Sequence, residues 1–167
     1  IFSTDYQDKQ EDVVLPGQDG AVTLTLVENA ATASLDGLEL EAAWVPTEGL
    51  TLTANLGYLD ASYDSSRVLG LNSLAFVHKT DFELRKAPEM TYSIGANWEF
   101  QLGEEAFLIA NVNYRWKDRF ALNASSNGGP KHYSTDPLMQ ESYGLLDASI
   151  NFETAHWRLS FFGKNLT

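Results

Sequence analysis

A chain of 167 residues with 44% hydrophobic and 12% aromatic side chains is long enough for one ordinary domain and too apolar for a disordered tail. Its formal charge of −12 excludes a nucleic-acid partner, whose phosphates need a basic surface, and the lack of cysteine excludes a disulfide framework or a thiolate metal site. No apolar run is long enough for a helix to span a bilayer, whereas a transmembrane β-barrel crosses on short alternating segments and accommodates a mean hydropathy of −0.23.

Ile1 to Gln10 reads as a strand, already polar at its far end through Tyr6, Asp8 and Lys9. Glu11 to Gly20 holds Pro16, Gly17, Asp19 and Gly20 and reads as a loop. Val22 to Val27 is β-branched and alternating, and the small residues Ala30 to Ser34 suit an irregular or bulged section.

From Gly37 to Asp60 two alternating runs meet at a turn. Leu38, Leu40, Ala42 and Trp44 share one side, opposite Glu39, Glu41, Ala43 and Val45. Leu50, Leu52, Ala54, Leu56 and Tyr58 alternate with Thr51, Thr53, Asn55 and Gly57. A period of two puts successive side chains on opposite faces, so one face is apolar and the other polar or small. Pro46, Glu48 and Gly49 supply the turn, since proline presets φ and glycine accepts a left-handed backbone. The stretch predicts a β-hairpin.

Between Ala61 and Lys86 the alternation fades, and a long loop is expected. It resumes from Ala87 to Phe100, where Tyr92, Ile94, Ala96, Trp98 and Phe100 oppose Thr91, Ser93, Gly95, Asn97 and Glu99. After an acidic turn at Leu102 to Glu105, Leu108, Ala110, Val112, Tyr114 and Trp116 oppose Ile109, Asn111, Asn113, Arg115 and Lys117. Ala121 to Glu141, rich in Asn, Ser, Gly and Pro, reads as a second long loop. Leu146, Ala148, Ile150 and Phe152 then oppose Asp147, Ser149 and Asn151, and a turn near Thr154 leads into Trp157, Leu159 and Phe161.

Short turns at Pro46 to Gly49, Leu102 to Glu105 and Glu153 to His156 thus alternate with long connections at Glu11 to Gly20, Ala61 to Lys86 and Ala121 to Glu141. Antiparallel neighbours gather the short turns at one edge and the long loops at the other, as in outer-membrane barrels. Trp44, Trp98, Phe100 and Trp157 fall beside short turns, and Tyr58, Tyr114 and Trp116 fall toward the long-loop ends. Two aromatic rows around an aliphatic band match the girdles of a membrane barrel, which the core packing of a soluble domain would not require. The expected fold is all-β, an antiparallel up-and-down meander of about seven strands. A soluble all-β carbohydrate-binding or adhesion module, its apolar faces sealed sheet on sheet, is the competing reading. A passive porin-like barrel is a third.

Chemistry is sparse along the chain. Glu39 and Glu41 have no nucleophile or base beside them and are read as lumen-facing, not as an acid–base pair. His78, His132 and His156 stand apart, without the clustering of metal ligands, so no metal, cofactor or catalytic residue is expected. Asn97, Glu99, Asn111, Asn113, Arg115, Arg158 and Lys164 join Glu39 and Glu41 on the polar side, where charges facing a lumen need partners.

The runs GLELEAAWVPTEGLTLTANLGYLDASY, APEMTYSIGANWEF and YGLLDASINFE, with WRLSFFGKNLT at the end, resemble the carboxy-terminal barrel portion of TonB-dependent outer-membrane receptors. The resemblance is carried by Gly37, Glu39 and Pro46 to Gly49 in the hairpin, by Pro88 and Tyr92 opening a strand, and by Gly163 to Thr167. It implies a barrel of about 22 strands around a plug, of which residues 1–167 are expected to form a partial barrel domain, with the plug and a final strand lying outside it. It further implies location in the bacterial outer membrane, contact with its lipid, and active import of a scarce nutrient. A ferric siderophore is foremost among the expected ligands, with cobalamin or an oligosaccharide as others. An inner-membrane TonB energy-coupling complex acting through the plug is the implied partner. Ligand contacts are expected from the long loops, where Tyr63, Arg67, Phe76, His78, Lys79, Phe120, His132 and Tyr133 supply aromatic and basic groups.

Overall fold

The computed structural model describes residues 1–15, 24–69, 76–78, 83–122 and 139–167, with the backbone alone at 11–15, 24–28, 30, 66–69 and 76–78. Among the described residues every regular element is a strand. These are β1 (Phe2–Leu15), β2 (Leu24–Thr47), β3 (Leu50–Leu69), β4 (Phe76–His78) and β5 (Met90–Gln101). They are followed by β6 (Ala106–Lys117), β7 (Phe120–Ala121), β8 (Met139–Gln140), β9 (Tyr143–Thr154) and β10 (Arg158–Gly163). Seven strands follow one another through a single sheet in the order β1-β2-β3-β5-β6-β9-β10, with β4 paired to β3 off this path and β7–β8 forming a separate ribbon. The antiparallel meander read from the sequence is the fold of the chain.

The chain divides into two compact units, one of residues 39–58, 90–118 and 142–167, the other of 1–38, 59–89 and 119–141. In the first, register carries the alternation from strand to strand. Ala54 pairs with Ile94 and Ile94 with Tyr114, which in turn pairs with Leu146. Likewise Leu52 pairs with Ala96, Ala96 with Val112 and Val112 with Ala148. Apolar residues therefore meet apolar residues in rows across four strands, the cross-strand contacts that stabilise a sheet. Gly49 (φ 77°) and Gly103 (φ 80°) occupy the left-handed positions of the tight turns, where a side chain is disfavoured. In the third turn the Thr154 hydroxyl accepts the amide of Trp157 at 3.2 Å.

No second layer covers the apolar rows among the described residues. Ile94 is 59% exposed and Leu159 47%, and no large side chain among the described residues is fully buried. A sheet-on-sheet sandwich would bury these positions, so the soluble-module reading fails on the exposure of its own core.

The second unit corrects several boundaries. β1 runs on to Leu15, into the expected loop from Glu11, and β3 continues to Leu69, well past Asp60. Ala30 to Ser34 lies inside the 24-residue β2 without a break. The expected irregularity is there and is shared by both strands: the register shifts between Tyr6 and Lys9 around Asp8 at φ 54°, and again between Lys9 and Gln10, whose partners Ala31 and Asn29 leave Ala30 of β2 as the extra residue. Ala31 and Ala33 are small because they are buried, packing with Tyr63 and Leu84, with Leu35, Ala61 and Ala87 against them. The pattern misled because the apolar positions change parity along each strand. In β3 they are even-numbered up to Tyr58 and odd-numbered at Leu59, Ala61 and Tyr63, while Asp60, Ser62 and Asp64 take the even places. In β2 the odd-numbered Ala31, Ala33 and Leu35 precede the even-numbered Leu38 and Leu40. A strand whose apolar side reverses reads as a lost alternation, although its backbone never leaves the sheet.

Candidate functional site

The polar rows of the 39–58, 90–118 and 142–167 unit form the candidate site. Asn55 pairs in register with Ser93 and Ser93 with Arg115; Thr91 pairs with Lys117 and Lys117 with Tyr143. Asn97 stands opposite Asn111, and Asn113 stands between Gly95 and Asp147. Hydrogen bonds knit the rows together, with Asn55 Nδ2 donating to Ser93 Oγ at 3.0 Å and Asn111 Nδ2 to Ser149 Oγ at 3.4 Å. Arg115 Nη2 meets Asp147 Oδ2 at 2.6 Å, and Arg158 Nε meets Glu153 Oε1 at 2.7 Å. Two cations of this face, Arg115 and Arg158, thus have carboxylate partners on the neighbouring strand.

Asp147 has a second duty. Its Oδ1 accepts the amide of Asn165 at 3.0 Å, while Leu166 N donates to Leu146 O at 2.9 Å and Thr167 Oγ1 to Gly144 O at 2.9 Å. Asn165, at φ 52°, turns the segment after β10 back along β9. No local pattern marks Asp147, because one partner lies on β6 and the other in the segment after β10.

Glu39, Glu41, Asn97, Glu99, Asn111, Arg115, Arg158 and Lys164 are exposed and Asn113 is half-buried. A hollow of about 440 Å³ lies between the rows, bordered by Asn55, Thr91, Ser93, Arg115, Lys117 and Tyr143. On the apolar face a second hollow of about 470 Å³ is bordered by Ala42, Trp44, Leu52, Ile94, Val112 and Tyr114.

Trp44, Trp98, Phe100, Trp157 and Tyr58 are exposed, and Tyr114 and Trp116 are half-buried. Several of them make ring contacts. Trp98 meets Phe100 edge-on at 6.1 Å, and Trp157 meets Phe152 at 5.1 Å. Near the long-loop end Trp116 stacks on Tyr92 at 5.3 Å and 20°, with Tyr114 6.1 Å from the same ring. Tyr92 thus joins the upper row, a membership the register reveals.

The expected loop residues separate. Tyr63 and Arg67 belong to β3, Phe76 and His78 to β4, and Phe120 to β7, so these are strand residues and not loop residues. Tyr63 is 3% exposed and carries the Lys9 ammonium 5.4 Å from its ring centre, so here it is a packing residue. In register Arg67 stands opposite His78 and Leu69 opposite Phe76. Lys79, His132 and Tyr133 lie outside the described residues. Within the same unit, Arg119 Nη2 meets Glu83 Oε1 at 2.8 Å and Lys86 N donates to Ala121 O at 2.8 Å, tying the two long connections together.

A meander with one exposed apolar face, one polar face, and short turns alternating with long connections is a segment of a transmembrane β-barrel. The model of the family "TonB dependent receptor-like, beta-barrel" matches residues 1–166, and the chain belongs to this family of transport receptors. No solved structure matches the chain.

Proposed function

We propose that this chain is part of the wall of a bacterial outer-membrane receptor that imports a scarce nutrient, a ferric siderophore first, with cobalamin or an oligosaccharide as the other candidates. The observation that carries this reading is the exposed apolar face, with Ile94 and Leu159 uncovered beside hydrogen-bonded polar rows in a chain of the receptor family. Hydrocarbon covers the first face and water or a plug the second. The aromatic residues at either end of the band anchor it at the two interfaces. Energy reaches the receptor from the TonB complex through its plug, and residues 1–167 make up a partial barrel domain.

Arg67, Phe76, His78, Lys79, Phe120, His132 and Tyr133 are proposed to meet the ligand near the long connections. Disrupting the gene in the source bacterium and measuring uptake of radiolabelled iron from a panel of ferric siderophores tests the transport reading. Loss of uptake of one complex, restored by the intact receptor, is expected. Unchanged uptake of every complex, with lost uptake of cobalamin or an oligosaccharide, would redirect the substrate. No uptake defect of any kind would sink the import reading. Replacing Arg67, Lys79 and His132 together in the intact receptor should weaken ligand binding, and unchanged affinity would remove these residues from the site.

A further inference from the structure

We propose that the hollow bordered by Arg115 and Lys117 between β3, β5, β6 and β9 is a binding site for a carboxylate of the imported ligand, a proposal that rests on the import reading above. Two adjacent cross-strand rows form it. One runs Asn55, Ser93, Arg115 and Leu145, the other Gly57, Thr91, Lys117 and Tyr143. The chain as a whole carries a formal charge of −12, yet among the described residues bordering this hollow there are two cations and no carboxylate.

The hydrogen-bonding state favours donors. Ser93 Oγ already accepts from Asn55 Nδ2 at 3.0 Å, so its own proton is left to donate. Arg115 commits Nη2 to Asp147 at 2.6 Å, and a guanidinium has further N–H groups in the same plane. The hydroxyls of Thr91 and Tyr143 and the Lys117 ammonium border the same space. Gly57 keeps the floor low, since a Cβ there would come 2.9 Å from Thr91 Oγ1. A volume of about 440 Å³ admits a small polycarboxylate or one arm of a larger ligand. The two cations among these donors favour an anionic oxygen over the neutral oxygens of a sugar.

The same chemistry has an internal source, a carboxylate side chain of the plug, and the experiment separates the two. The complete receptor, purified in detergent, is titrated with citrate by calorimetry, with maltotriose as the neutral control, for the wild type, Lys117→Gln and Lys117→Arg. Citrate should bind the wild type more weakly as salt rises. Its affinity should fall at least about tenfold in Lys117→Gln and be largely restored in Lys117→Arg, while maltotriose gives no response that depends on Lys117. Absence of citrate binding, or equal affinity in all three proteins, overturns the proposal. A wild type blind to citrate, together with a lower melting temperature for Lys117→Gln alone, assigns the hollow to the plug and likewise overturns it. Siderophore uptake measured on the same proteins keeps the import reading separate, since uptake without citrate binding removes this site and leaves the transporter.

Discussion

Arg115 on β6 and Asp147 on β9 meet diagonally across the polar face, with Nη2 2.6 Å from Oδ2, and the other oxygen of the same carboxylate caps the amide of Asn165. One side chain thereby fastens two neighbours of β9. The Arg115 side chain is 56% exposed, which places its ion pair among the weak ones, worth about 1 kcal/mol or less. Removing Asp147 takes away both contacts. In the intact receptor Arg115→Met should lower stability by under about 1 kcal/mol and Asp147→Ala by about 1–3 kcal/mol. Asp147→Asn, which keeps an acceptor for Asn165, should fall between them. Urea unfolding followed by the mobility of unheated samples in electrophoresis ranks the three, and equal losses would show that the Asn165 contact contributes nothing.

The two faces of β5 make opposite demands. Ile94 lies in the middle of the apolar rows, between Ala54 and Tyr114, whereas Asn97 lies on the other face opposite Thr51 and Asn111. Ile94→Arg should cost about 2–4 kcal/mol and reduce the receptor recovered in outer-membrane fractions. Asn97→Arg should leave assembly near the wild-type level. Equal recovery of both variants would mean that lipid does not cover Ile94.

Gly49 and Gly103 share a left-handed backbone and differ in their surroundings. A Cβ on Gly49 would run into the carbonyl of Glu99, whose amide donates to Gly49 O at 2.8 Å; a Cβ on Gly103 meets nothing within 4 Å. Alanine at Gly103 should therefore cost only the conformational penalty, about 1–2 kcal/mol. At Gly49 it should cost more and displace the β3–β5 pairing. Thermal melting of both variants provides the comparison, and Gly103→Ala proving the more harmful would contradict the geometry.

Tyr63 closes the small core that Leu84 completes. Tyr63→Ala should destabilise this unit by about 3–5 kcal/mol, the range for emptying a buried aromatic site, and speed amide exchange at Leu84 to Ala87. Tyr63→Phe keeps the ring and should retain protection there. Exchange mass spectrometry on the intact receptor reads this directly. Unchanged exchange in Tyr63→Ala would mean that the segment is held from elsewhere.

How much was legible follows from the range of each interaction. Alternation is a property of neighbouring residues, so Leu50 to Tyr58 and Tyr92 to Phe100 declared their two faces, and Pro46 to Gly49 its turn, without any partner strand. The girdle candidates were legible for the same reason, being apolar-face residues counted outward from a turn. Arg115 with Asp147, Tyr92 with Trp116 and Tyr63 with Ala33 were not, because each joins residues on different strands and depends on register. The hollow needed even more, four strands aligned at once, and no local pattern marks Thr91 or Tyr143.

The amino-acid sequence by itself determined the two-faced strands and their order of short and long connections, which depend on residue periodicity and spacing, while its particular runs, such as Gly163 to Thr167, carried the family resemblance. Only the tertiary structure decided that β2 and β3 continue beyond the apolar band, that Tyr63 is packed away, and which donors converge between β3 and β9. Those outcomes come from pairing between residues far apart in the chain, where the energy of a contact exists only once the sheet has brought both partners together.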